Sequence, residues 1–186
     1  MAVLLTIIGI IVVVALFAAY AFNKLRRLDI GAQEALGGID VQLTRRADLI
    51  PNLVNTVKGY AQHEKGVFEE VTRARTSVKE AAASGSVPEK AAAQAQLDRA
   101  IVDVLAVAEA YPDLKASTNF LELQKELSDT ENKISFARQY YNDAVASLNK
   151  IVQTIPWLLF TGLAGVHARE FYNAPEGQET APAVTF

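Results

Sequence analysis

Residues 2–22, bounded by Ala2 and Phe22, contain no charged side chain. That run limits the possible folds more than any other. An α-helix satisfies its backbone hydrogen bonds internally, and about twenty apolar residues in that form cover the hydrocarbon core of a bilayer. A cleavable signal peptide is the competing reading. It wants positive charge ahead of the apolar segment, and here only the amino terminus precedes it. Ala18, Ala19 and Ala21 also run on into helical sequence rather than into a polar loop. The run therefore reads as a retained transmembrane anchor over residues 1–23, with the lipid bilayer as first partner. Lys24, Arg26 and Arg27 follow at once, and positive charge favours the cytoplasmic side. The expectation is a single-pass cell-membrane protein with a cytoplasmic C-terminal domain; three charges beside one span bias the orientation without fixing it.

With the span subtracted, a chain of 186 residues has room for one soluble domain. A net charge of −3 lacks the basicity that neutralises phosphates, so nucleic acid is not expected as a partner. The absence of cysteine removes disulfides, thiolate metal sites and cysteine nucleophiles together. His63 and His167 have no ligand-like spacing around them, and His63 and Glu64 point about 100° apart on a helix. There is no Glu-x-x-His motif for a two-metal bundle site and no glycine-rich phosphate loop after a strand. No catalytic, metal-binding or cofactor-binding residue is assigned, no cofactor is expected, and the chain does not read as an enzyme.

Beyond the anchor the chain reads as all-α. Residues 24–38 form a juxtamembrane helical linker, with Gly37-Gly38 the expected break. Residues 39–172 then form an elongated antiparallel bundle of three long helices plus a short C-terminal helix. The first helix extends to about Glu80 on a stripe through Leu36, Leu43, Ala47, Ile50, Val54, Val57, Ala61, Phe68 and Val71, in steps of three, four or seven. Pro51 keeps the phase on both sides, which predicts a kink rather than a stop. Residues 81–90 form a turn, with Gly85 supplying a left-handed residue, Pro88 suiting a first helical turn, and Ser86 and Glu89 spaced as a capping box. A second helix over about 89–110 turns Leu97, Ile101, Val104, Leu105 and Ala108 inward and ends at Tyr111-Pro112-Asp113.

The third helix carries the strongest period. Phe120, Leu123, Leu127, Thr130, Ile134, Ala137, Tyr141, Ala144, Leu148, Ile151 and Ile155 alternate in steps of three and four, a heptad seam that calls for partner helices. Leu123, Leu127, Ile134, Tyr141 and Leu148, with Pro51, are the structural residues of the reading. Pro156 stops the seam. Trp157 to Phe160, with Leu163 and Val166, make an apolar stretch too short to span a membrane. It closes the bundle as a short helix, or it is an interfacial or subunit-contact segment in which Trp157 and Phe160 do the binding. Residues 173–186 lack periodicity and are expected to be disordered.

One polar cluster stands out. Arg45, Arg46 and Asp48, with Asn52 a turn later, are either a solvated helix face or a contact for an anionic group or another protein. A buried arginine–carboxylate contact between the first and third helices would fix register more than it would add stability.

Three stretches carry a family resemblance: IDVQLTRRADLIPNLVNTVKGYAQHE at 39–64, AYPDLKASTNFLELQKELSDTENKISFARQYYNDAV at 110–145, and PWLLFTGLAG at 156–165. With a hydrophobic span ahead of them, they resemble the LemA family of bacterial membrane proteins. Arg45, Arg46, Asp48, Pro51, Asn52, Asn119, Glu131, Asn132 and Tyr141 match its motifs, and Ser117-Thr118 departs from them. The resemblance implies a helical bundle, one membrane pass and a cytoplasmic C-terminal domain. It implies no reaction and no catalytic residues. The functional expectation is a non-enzymatic, membrane-anchored scaffold that self-assembles as a homo-oligomer. The alternative is an adaptor for other membrane proteins, such as an envelope-stress or membrane-protease component.

Overall fold

The computed structural model describes residues 1–173, and every regular element among them is helical. The expectation of disorder over residues 173–186 falls, apart from Asn173, outside the described residues. Helix α1 (Ala2–Lys58) is unbroken. It passes through Gly37 and Gly38, where the linker was expected to break. Each exposed helical glycine costs about 1 kcal/mol relative to alanine, and the buried Ala35 and Ile39 on either side offset that cost. Pro51 likewise lies inside the helix, with its ring exposed.

The expected continuation of this helix to about Glu80 is corrected. α1 ends at Lys58, and α2 (Lys65–Ser84) is a separate helix. Gly59 lowers helix propensity at that point, and the N–H groups of Tyr60 and Ala61 both donate back to the Val57 carbonyl at 3.0 and 2.9 Å. Ala61 is then buried in the connection, while His63 is exposed.

Contacts divide the described residues into two compact units, one of residues 1–36 with 139–171, the other of residues 37–138 with Tyr172 and Asn173. In the second unit α1 buries Ile39, Leu43, Ala47, Ile50, Leu53 and Val57. Val54 was expected to point inward but is only half-buried; the fully buried position is Leu53. α2 buries Phe68, Val71, Ala74 and Val78, and α3 (Val87–Glu109) buries Leu97, Ala100, Ile101, Val104 and Ala108.

α2 and α3 form a hairpin around Gly85 and Ser86. Gly85 is extended (φ −71°, ψ 151°) rather than left-handed as expected. Glycine is needed there for close approach, because a Cβ would stand 2.7 Å from the Ala81 carbonyl oxygen. The capping box is present: the Glu89 N–H donates to Ser86 Oγ at 3.4 Å and the Ser86 N–H donates to Glu89 Oε2 at 2.6 Å. The donated backbone bond holds the Glu89 carboxyl below its usual pKa. After α3, a four-residue turn α4 (Pro112–Lys115) buries Leu114 and leads into α5 (Thr118–Val152).

Within α5, Phe120, Leu127, Thr130 and Ile134 are buried in the second unit, and Tyr141, Val145, Leu148 and Val152 in the first. The heptad seam is therefore largely realised. Thr130 fits it by donating its hydroxyl to the Leu127 carbonyl at 2.8 Å. Leu123 is half-buried. Ile155 is the exception: it lies beyond the helix and is 80% exposed.

In the first unit Ala21, Leu25, Ala32 and Ala35 of α1 are buried as well. The apolar segment after Pro156 is a 3-10 turn (Trp157–Phe160) followed by one turn of α6 (Thr161–Ala164). Gly165 ends it at φ +62°, the left-handed region that glycine enters without penalty. No residue from 2 to 20 is buried, as a lipid-facing helix requires, and α1 is long and apolar enough there to cross a membrane.

Candidate functional site

The α1 seam can be followed in alternating steps of four and three from Ala21 through Leu25, Leu28, Ala32, Ala35 and Ile39. The same stepping then lands on Gln42 and Arg46 before it resumes at Ile50, Leu53 and Val57. A guanidinium thus occupies a position that periodicity assigns to the core. Arg46 is 6% exposed. Its Nη1 donates to Asp98 Oδ1 on α3 at 2.5 Å and to Glu131 Oε2 on α5. One side chain therefore ties together three helices of the second unit. Arg46 Nε and Gln42 Oε1 are buried without a hydrogen-bond partner among the described residues, which gives the cluster a cost in stability as well as a geometric role.

Further polar contacts surround it. Lys90, buried in α3, donates to Asp40 Oδ1 at 2.5 Å and to the Ala82 carbonyl at 3.1 Å. Burial raises the Asp40 pKa against the pull of Lys90. The Tyr172 hydroxyl donates to Gln94 Oε1 at 3.0 Å, and the Arg138 guanidinium lies 5.4 Å from the Tyr172 ring centre. Burial pushes the Tyr172 phenol upward, so it remains a protonated donor. For Asp98, burial raises the pKa to about 6; Arg46 pulls it down, Glu131 pushes it further up, and Arg138 and Gln94 oppose the rise.

The four polar residues singled out in the sequence separate. Arg46 turns into the core, where it serves packing. Arg45, Asp48 and Asn52 are exposed, as rotation of about 100° per residue demands. Asp48 pairs with Lys79 of α2 at 2.7 Å, a surface pair that contributes little. Arg75 reaches the Ala47 carbonyl at 3.1 Å. Asn52 lines an open groove of about 390 Å³ with Asn55, Asn119, Glu122 and Glu126. Among the described residues no group of three or more His, Cys, Asp or Glu is placed to hold a metal ion.

Trp157 and Phe160 lie together in the first unit, on α1. The Trp157 ring centre is 6.0 Å from Phe17 and 5.7 Å from Tyr20, with Lys24 Nζ 4.6 Å above it. Phe160 meets Phe17 edge-on at 5.7 Å. The chain after α6 is strapped down by Asn149, Arg169 and Asp29, which the sequence reading missed, and by Tyr141, which it named for the seam. Asn149 of α5 exchanges two hydrogen bonds with the Arg169 backbone, both 2.9 Å. The Arg169 guanidinium grips Asp29 of α1 through Nε and Nη2 at 2.8 Å, and the Tyr141 hydroxyl donates to the Glu170 carbonyl at 2.9 Å.

The raised Asp98 pKa has a signed consequence. A carboxyl whose folded pKa exceeds its ordinary 3.8 contributes stability that is complete below that value and is lost as pH rises through about 6. The carboxamide of an Asp98→Asn protein is neutral throughout. Urea unfolding of solubilised protein should therefore show the variant gaining on the parent by about 1–3 kcal/mol between pH 4 and pH 7. A pH-independent difference contradicts the placement.

Over an alignment 206 positions long the chain is 23% identical to the magnetosome proteins MamQ 1 and MamQ 2 of Paramagnetospirillum magneticum, covering 97% of this chain and 75% of each relative. It is 22% identical to the magnetosome protein MamQ of Magnetospirillum gryphiswaldense, over 83% of this chain and 65% of that protein. The model of the LemA family matches residues 35–186, and the chain belongs to the LemA family.

Proposed function

We propose that this membrane protein is a non-enzymatic scaffold, anchored by one pass and self-assembling through its helical domain. The observation that carries this reading is a large aromatic side chain left on the outside of a long helix. Phe136 of α5 is 72% exposed, and the next turn of the helix carries the exposed Tyr140. Aromatic side chains are enriched where protein surfaces meet, and their desolvation contributes strongly to association. The two buried cations of the second unit, Arg46 and Lys90, are each paired with carboxylates on other helices, which favours a packing role for them over a reactive one.

Light scattering on detergent-solubilised protein tests the reading. The parent chain should be oligomeric at micromolar concentration, and Phe136→Glu should shift it toward monomer with helicity by circular dichroism unchanged. A monomeric parent contradicts the scaffold. It favours instead the adaptor, in which Arg45, Asp48 and the groove beside Asn52 face another membrane protein. Reversing the charges of Arg45 and Asp48 should then abolish capture of that partner.

The orientation we propose places the C-terminal domain in the cytoplasm, supported by Lys24, Arg26 and Arg27 directly after the span. Protease added to intact spheroplasts should leave that domain uncut. Cleavage without lysis contradicts the assignment.

A further inference from the structure

Residues 151–166 contain no charged side chain and lie between Lys150 and His167. The run is too short to cross a bilayer as a helix; Val152, Ala164 and Val166 are buried, while the large aliphatic side chains between them are not. Ile155 is 80% exposed, Leu159 74%, Leu163 70% and Leu158 49%. These are four large aliphatic side chains within nine residues. The aromatic members of the run face the other way, onto α1 at a defined depth. Phe160 sits against Phe17, inside the apolar span, and Trp157 reaches from Phe17 past Tyr20 to Lys24, the first cation after the span. At 1.5 Å per residue, Phe17 to Lys24 covers roughly 10 Å, the depth over which acyl chains give way to headgroups. Tryptophan, tyrosine and snorkelling lysine are the side chains characteristic of that boundary.

We propose that residues 155–163 are a second membrane contact, a wedge seated in the leaflet at the Lys24 end of the span. Its occupant is phospholipid. The argument is continuity. Phe160 is held against a residue of the span, so the leucines beside it are carried to the same level, where acyl chains are the surrounding medium. A groove of about 420 Å³ beside it, lined by Tyr20, Asn23, Lys24, Arg27 and Leu28, offers cations and an amide where headgroup phosphates lie. The strap of Asn149, Arg169, Asp29 and Tyr141 keeps the chain after the wedge on α1 and α5. The wedge then fixes the C-terminal end of α5 to the membrane surface without a second crossing.

This inference rests on the reading of residues 2–22 as a membrane span, and the test separates the two. The chain has no cysteine, so Leu159→Cys, Leu163→Cys, Val12→Cys and Gln62→Cys each place a single nitroxide label on the full chain. The labelled proteins are reconstituted into phosphatidylcholine–phosphatidylglycerol vesicles. Power saturation then compares collision with oxygen, which concentrates in acyl chains, and with a water-soluble nickel chelate. Labels at Leu159 and Leu163 should behave like Val12, with nickel collision several-fold below that at Gln62. If Val12 is lipid-exposed while Leu159 and Leu163 match Gln62, the wedge is overturned and the span stands. Exclusion of both reagents with spin–spin broadening overturns it in favour of a second copy of the chain. Nickel access at Val12 overturns span and wedge together. The unsubstituted chain gives an independent reading through Trp157, its one tryptophan. Lipids brominated near the carbonyl end of their acyl chains should quench it, and aqueous acrylamide should not; the reverse result overturns the wedge.

Discussion

The charge cluster of Arg46 is the contact on which the second unit depends. Hydrophobic burial alone does not choose a register for a helix with a regular apolar seam, because sliding by a heptad returns a similar face. Arg46 breaks that degeneracy. Its Nη1 meets a carboxylate from α3 and another from α5, and any slip strands a buried cation. Such a device is costly. Charged groups leave water, Asp98 is pushed toward neutrality, and Arg46 Nε goes without a partner among the described residues. The attraction between buried charges roughly offsets desolvation rather than exceeding it. The gain lies in specificity: one packing of α1, α3 and α5 satisfies all three groups.

The same helix serves two solvents. Up to Tyr20, α1 buries almost nothing; from Ala21 onward one of its faces is closed by neighbours. Small residues do much of the closing in the first unit, where Ala21, Ala32 and Ala35 are buried. In the second unit larger residues take over, among them Ile39, Leu43, Ile50 and Leu53. Proline and paired glycines interrupt neither half. Their local cost is about 1–3 kcal/mol, and a buried seam on both sides of each supplies more than that.

Much of this was legible in the residues. The apolar run at the start, the seam of α5 and the capping box at Ser86 follow from periods and spacings that local physics enforces. Leu127, Ile134, Tyr141 and Leu148 all lie inside. The misread points share a cause, which is that tertiary partners are invisible to a period. Gly59 gave no stronger signal than Gly37 or Gly38, yet only Gly59 coincides with a helix end, because Ala61 finds a buried place beyond it. Gly85 was read for handedness when its role is proximity to Ala81. Arg46 was grouped with its polar neighbours, although stepping three and four from Ala32 through Ala35, Ile39 and Gln42 lands on it. That phase was the available signal. The strap formed by Asp29, Asn149 and Arg169 had none, since its members are 20 to 140 residues apart in sequence.

The central claim is that the Arg46 cluster specifies the packing of α1, α3 and α5. Denaturant unfolding of Arg46→Met, compared with a protein that also carries Asp98→Leu and Glu131→Met, tests it most directly. The single substitution leaves the part-buried carboxylates of Asp98 and Glu131 without their cation and should destabilise the protein. The triple substitution removes all three charges and should recover most of that loss, with helicity and assembly state retained. A triple variant as unstable as the single one would contradict the account.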